Sequence, residues 1–310
     1  MTKNLLPNRY EHTAFFTCDI FDSFKDDLAS MEHPVFSLST KPDHRMLVYE
    51  YKGNTIKIKP SYTGLATIFD KDVLLYLASA LMNAKNNDKA ISQTVRFTSH
   101  DYFVSTNKKT GGTQYKQLNE ALERLSGTRI QTNIKTNGKE VLRDFGLIDY
   151  WEIVKEDAKG KAISVEVKLS DWFYHSILGN EVLSIDKDYF RLRKPTERRV
   201  YELARKHCGN QVTWKIKLEN LKEKIGTVTT IRKLRFNINK LAETNHLPEY
   251  NISIENDVVM FTRKEPPKEN KAPKNFPKYV TKKEIEKQAK PGESYHQAAN
   301  RIKGLKDALK

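Results

Sequence analysis

The chain has 310 residues, 38% of them hydrophobic, with three Trp, 14 Tyr and 14 Phe, enough apolar material for two domains of ordinary size and a further segment. Its apolar runs are short (Val73 to Leu77, Val258 to Phe261), far below the ~20 residues needed to span a bilayer, so no membrane partner is expected. The net charge of +15 is the strongest compositional signal and points to a polyanionic partner.

The charge is unevenly spread. Residues 1–186 carry 24 basic and 24 acidic side chains, whereas residues 187–240 carry 16 basic and 5 acidic, a net of +11. Residues 241–267 are net −3 and residues 268–310 net +7. Charge focused in one folded stretch adds affinity for nucleic acid through counterion release. The two cysteines, Cys18 and Cys208, have no metal-type spacing and cannot form a disulfide framework. Met1 to Pro7 lacks the apolar core of a signal peptide, and a reducing, cytoplasmic compartment is expected.

In chain order, Ala14 to Phe21 is apolar and expected to pack on the first domain. Val35 to Ser39, Met46 to Tyr51 and Thr55 to Lys59 read as strands, the last two joined by a turn at Lys52 to Asn54. Asp70 is placed to cap a helix from Lys71 to Ala84, and Ser99 to cap a short one from His100 to Ser105. A longer helix, Thr113 to Leu125, is closed by Gly127. Arg129 to Ile134, Val141 to Val154 and Ala162 to Leu169 read as an antiparallel meander with turns at Thr136 to Gly138 and Lys159 to Lys161. Thr196 then opens a helix, Arg198 to His207, before Gly209. Val212 to Ile216 is a strand and Leu218 to Ile225 a short helix ended by Gly226. A long helix, Thr229 to Leu241, and a hairpin, Tyr250 to Ile254 with Val258 to Phe261, complete the fold. From Arg263 the Pro- and Lys-rich composition predicts a flexible basic tail.

The two long helices share one pattern. Tyr115, Leu118, Leu122 and Leu125 fall at the same offsets as Ile231, Leu234, Ile238 and Leu241, one stripe of a helix in each case. The opposite face is Thr113, Lys116, Gln117, Glu120 and Arg124 in the first copy and Thr229, Arg232, Lys233, Phe236 and Lys240 in the second. The order helix, short helix, long helix, hairpin is that of a winged helix. The expected architecture is therefore α+β: two tandem winged-helix domains and a flexible basic tail, with boundaries at 1–186, 187–264 and 265–310.

In a winged helix the long helix enters the major groove, its N-terminal residues toward base edges. Thr229 and Thr230 are placed to meet a phosphate, Arg232 a guanine edge, and Lys233 a guanine or a phosphate. Arg235 joins this basic set, and Lys240 is a backbone-contact candidate. Phe236 either touches a thymine methyl or packs under the wing. Arg198 and Arg199, with Arg191, Arg193 and Lys194 ahead of them, are candidates for flanking phosphates. In the first domain the equivalents are Lys116, Gln117 and Arg124, with Asn107, Lys108, Lys109 and Thr113 leading into the helix.

Enzymatic chemistry has no sequence support. No two of the eight His stand at i,i+2 or i,i+4, which removes the nickase and zincin metal sites. No P-loop or Gly-X-Ser-X-Gly elbow is present. No cofactor, metal or catalytic residue is expected. Asp26, Asp27, Glu156 and Asp157 read as solvated turn residues, and His207 beside Cys208 as structural.

Arg9 to Phe16, Leu142 to Trp151 and Lys194 to Lys206 together resemble the bacterial plasmid replication initiators of the RepA type, built from two winged helices. The resemblance covers roughly residues 5–264. It implies binding of double-stranded DNA at repeated origin sites (iterons), opening of nearby AT-rich DNA, and recruitment of the host initiator and replicative helicase. It also implies a dimer formed through the first domain that represses its own gene, a role suited to the neutral first half. A winged-helix repressor bound to an inverted repeat is the alternative.

Overall fold

The computed structural model describes residues 4–10, 16–17, 34–51, 54–87, 89–133, 135–136, 139–140, 142–155, 163–178, 184–208, 211–264 and 302. Residues Met1–Lys264 form one compact unit and Glu265–Lys310 another. The expected turns at 52–53, 137–138 and 159–161, most of the apolar stretch from Ala14 to Phe21, Gly209, and the tail beyond 264 lie outside the described residues.

The first half begins with β1 (Phe16–Thr17) and the hairpin of β2 (Leu47–Tyr51) and β3 (Asn54–Lys59), with Leu47 opposite Ile58. Alternation along β3 buries Ile56 and Ile58 on one face. Helix α1 (Lys71–Asn86) buries its Leu74, Leu77, Ala78 and Leu81 stripe. Next come β4 (Thr94–Thr98), α2 (Ser99–Ser105) and α3 (Gly112–Gly127). They are followed by β5 (Arg129–Thr132), the short pair β6 (Lys135–Thr136) and β7 (Lys139–Glu140), and β8 (Arg143–Gly146). The half ends with β9 (Ile148–Lys155), β10 (Ile163–Leu169), α4 (Asp171–Leu178) and β11 (Ser184–Ile185), which pairs back onto β1.

In the second half a 3-10 turn (Lys187–Arg191) leads into α5 (Pro195–Cys208), with Pro195 at the helix start where its missing N–H costs nothing. β12 (Thr213–Lys217), α6 (Leu218–Ile225), α7 (Ile231–Thr244), β13 (Tyr250–Glu255) and β14 (Val258–Arg263) follow. Gly226 ends α6 in the left-handed conformation (φ 73°). Asn256 and Asp257, both at positive φ, make the two-residue turn between β13 and β14.

One order of elements thus occurs twice. Helix α1, β4, α2, α3, β9 and β10 correspond to α5, β12, α6, α7, β13 and β14. In each copy the first strand pairs with the last, giving sheets β4-β10-β9 and β12-β14-β13. Strand β4 is not among the elements expected from sequence, because its five residues carry only a brief alternation.

Four sequence expectations are corrected. The stretch from 129 to 169 is not one meander. Gly146 ends β8 and the buried Leu147 carries the chain into another sheet, so β5 and β8 extend the first hairpin into a four-stranded sheet, β2-β3-β5-β8, while β9 and β10 pair with β4. Asp70 precedes α1 but makes no side-chain cap; its carboxylate accepts from Thr67 N at 2.8 Å and from Arg124. The short helix is capped by Thr98, whose hydroxyl accepts from Asp101 N at 3.1 Å, and Ser99 lies inside it. Gly127 is likewise the last residue of α3 and not a left-handed cap. A Cβ there would lie 2.4 Å from that of Ser61, so it marks a close approach.

A buried charge network joins the two copies. Asp72, in the first turn of α1, is wholly buried and meets Arg198 Nη1 of α5 at 2.6 Å and Lys108 Nζ at 2.6 Å. The Arg198 guanidinium lies 4.5 Å from the centroid of Phe69 and 4.9 Å from that of Tyr189. It also donates to the carbonyls of Leu192 (3.2 Å) and Phe190 (3.4 Å). Beside it, Lys71 Nζ stands 2.9 Å from Glu202 Oε1, which accepts from the Tyr189 hydroxyl at 2.7 Å. Removing one partner of such a pair strands a charge in low dielectric. Asp72→Ala is expected to lower stability in urea unfolding by about 3–5 kcal/mol. Adding Arg198→Met and Lys108→Met is expected to restore part of the loss, because the stranded charges are then gone.

Candidate nucleic-acid interface

Helix α7 is amphipathic, with Leu234, Ile238 and Leu241 buried and the opposite side open. Thr230 caps it, its hydroxyl accepting from Lys233 N at 3.3 Å while its O–H proton remains available to a phosphate. The Thr229 backbone N–H donates to Thr227 Oγ1 at 3.2 Å. Arg232, Lys233 and Lys240 are exposed, and their side chains have no hydrogen-bond or ion-pair partner among the described residues.

Arg235 is different. Its guanidinium forms a bidentate pair with Asp257 in the β13–β14 turn, 2.7 Å on each arm, so it ties the hairpin to the helix. That bond holds the Asp257 carboxyl below its ordinary pKa. Phe236 is 64% exposed and makes no aromatic contact among the described residues. Of the two placements open from sequence, packing under the hairpin is therefore set aside, since Arg235 occupies that contact. Asn239, exposed one turn beyond Phe236, is missing from the sequence candidates, although the same helical wheel puts it on the outward face.

The arginines of α5 are corrected. Arg198 is buried in the network described above and is withdrawn from the phosphate-contacting set. Arg199 donates to the Lys224 carbonyl at 3.2 and 2.9 Å, closing the C-terminus of α6, and pairs with Glu202 at 3.4 Å. Arg191 donates to the Leu6 carbonyl at 2.7 Å and pairs with Asp188 at 2.9 Å. Lys194, mostly exposed, pairs with Glu197 at 3.0 Å, and Arg193 is exposed.

The equivalent face of α3 is built otherwise. Arg124 pairs with Asp70 at 2.7 Å, and Lys116 lies 3.9 Å from Glu120. Lys108 belongs to the Asp72 network, and Asn107 accepts from Arg9 N at 2.8 Å and donates to the Pro7 carbonyl at 3.1 Å. Thr113, Lys109 and Gln117 keep exposed side chains. Gln117 and Arg124, the counterparts of Lys233 and Lys240, line a cavity of about 470 Å³ whose far wall is Ser39 to Pro42. Asp43 anchors that wall, accepting from Arg45 Nε at 2.7 Å and from Ser37 Oγ at 2.7 Å. Among the described residues no group of three or more His, Cys, Asp or Glu side chains is placed to hold a metal ion. None of their helices is long and apolar enough to cross a membrane.

Residues 25–252 match the family described as Replication initiator protein A. The chain belongs to that family. This replication initiator is 42% identical over 259 residues to a "Putative replication protein" of Wigglesworthia glossinidia brevipalpis, across 81% of its own length and 93% of the relative's. Its fold is similar to crystal structures of domains 2 and 3 of RctB. One has a TM-score of 0.56 at 13% identity, covering 76% of the initiator and 97% of the RctB chain. The other has a TM-score of 0.53 at 14% identity, covering 77% and 96%.

Two stability tests probe the initiator's geometry. Thr230→Ala removes the cap of α7 and is expected to lower stability by about 1 kcal/mol in urea unfolding. The Arg45 hydrogen bond holds the Asp43 carboxyl down at about 2, so this contact stabilises the fold above the ordinary value of 3.8 and is lost as pH falls toward about 2. Comparing melting of the wild type and Asp43→Asn across that range, the difference is expected to be full at neutral pH and to shrink on acidification.

Proposed function

We propose that the two repeated modules are winged helices and that the protein initiates replication by binding repeated double-stranded DNA sites at an origin. Helix α7 is the main reader in the major groove, and the β13–β14 hairpin is the wing against the backbone. The observation that carries this reading is the difference between two equivalent helix faces. Arg232, Lys233 and Lys240 on α7 are exposed and have no side-chain partner among the described residues, whereas Arg124 and Lys116 on α3 already face carboxylates. An unpaired cation gains most from phosphate or a guanine edge, since no internal bond is given up.

On this reading the first module adds weaker DNA contacts through Thr113, Lys109 and Gln117 and supplies the surface for self-association. Opening of AT-rich DNA and recruitment of the host initiator and helicase follow binding, as the family resemblance implies. The protein acts by binding and assembly, with no catalytic step of its own.

Footprinting on DNA flanking the protein's own gene tests the proposal. Protection of several direct repeats is expected, and protection of a single palindrome would favour a repressor instead. Arg232→Ala with Lys233→Ala is expected to abolish specific binding, each lost base contact weakening it by about 1–3 kcal/mol. Lys116→Ala is expected to weaken binding far less, and equal losses would remove the asymmetry between the modules.

A further inference from the structure

An exposed Phe stands at the middle of a cationic helix face. Phe236 is 64% exposed and makes no ring contact among the described residues. It lies diametrically opposite the buried stripe of Leu234, Ile238 and Leu241, at the centre of the outward face of α7. One turn before it stand Arg232 and Lys233, and one turn after it Asn239 and Lys240, all exposed. Arg235, next along the chain, is held by Asp257 and steadies the helix against its hairpin.

These side chains form an apolar point ringed by hydrogen-bond donors and positive charge. The surface that complements it presents a methyl group among acceptors and phosphates. In the major groove only thymine offers a methyl, at C5, and the adenine amino and N7 groups of a neighbouring pair match an asparagine amide.

Resting on the DNA-binding reading above, we infer that α7 reads an A·T step, with Phe236 against a thymine C5-methyl and Asn239 bonded to an adjacent adenine. Arg232 and Lys233 then take the flanking bases or phosphates toward the helix N-terminus. The bound site therefore contains at least one thymine whose methyl group, and not only its pairing edge, is recognised.

The test uses the full-length protein and a random-sequence DNA duplex pool. Bound duplexes are selected and sequenced, and the enriched duplex is resynthesised with deoxyuridine replacing each thymine in turn, which deletes the methyl and leaves pairing intact. For the wild type, one replacement is expected to weaken binding about fourfold, the value of burying one methyl group. Phe236→Ala is expected to bind the thymine duplex that much more weakly and to show no further loss with uracil. Phe236→Leu, which keeps an apolar side chain, is expected to retain sensitivity to the methyl. Selection by Asn239→Ala is expected to lose its preference for the neighbouring adenine. An enriched site indifferent to every uracil replacement overturns the Phe236 contact while leaving DNA binding intact. A pool without any enriched sequence overturns both.

Discussion

The position of one helix face relative to the other depends on a single buried carboxylate. Asp72, at the start of α1, is shared between Arg198 of the second module and Lys108 of the first, and its neighbour Lys71 is paired with Glu202 of α5. Ions taken out of water are tolerated only where geometry supplies partners for all of them, so this cluster admits one arrangement of α1 against α5. The rings of Phe69 and Tyr189 on the Arg198 guanidinium add the same restriction. Since α1 and α5 are the leading helices of the two repeats, fixing them also fixes how α3 and α7 are presented.

The two repeats differ around that joint. The first has an additional pair of strands, β5 and β8, between its long helix and its terminal strands, and this completes a four-stranded sheet with β2 and β3. Its α3 is flanked by a cavity walled by Ser39 to Pro42, and its basic residues are matched by Asp70 and Glu120. The second repeat has no such insertion. Its hairpin turns on Asn256 and Asp257, is tied to the helix by Arg235, and leaves Arg232, Lys233 and Lys240 open. The uneven charge along the chain thus has a structural counterpart on the two long helices: Lys116 and Arg124 of α3 face carboxylates, while Arg232, Lys233 and Lys240 of α7 have no side-chain partner among the described residues.

Much of this was legible in the residues. The spacing of Tyr115, Leu118, Leu122 and Leu125, and its repeat from Ile231 to Leu241, located both long helices to within a few residues, because burial of one helix face leaves a periodic trace. Gly226 marked the end of α6 correctly, since the left-handed conformation there favours glycine. Asp70, Ser99 and Gly127 were misread for two reasons. At Asp70 and Gly127 distant residues decided, Arg124 and Ser61, which capping rules do not consider; at the short helix the cap is local but one residue earlier, at Thr98.

By itself the sequence determined the existence and order of most elements, the duplication, the basic second half and the outward stripe of α7. Each follows from periodicity or charge that is local along the chain. Only the tertiary structure decided which cations remain available. Arg198 and Arg199 are a pair of basic residues near a helix start, as are Arg232 and Lys233, yet the first two are held by Asp72, Glu202 and main-chain carbonyls and the others face solvent. A charge carries no record of its partner, because pairing depends on residues as much as 126 positions away.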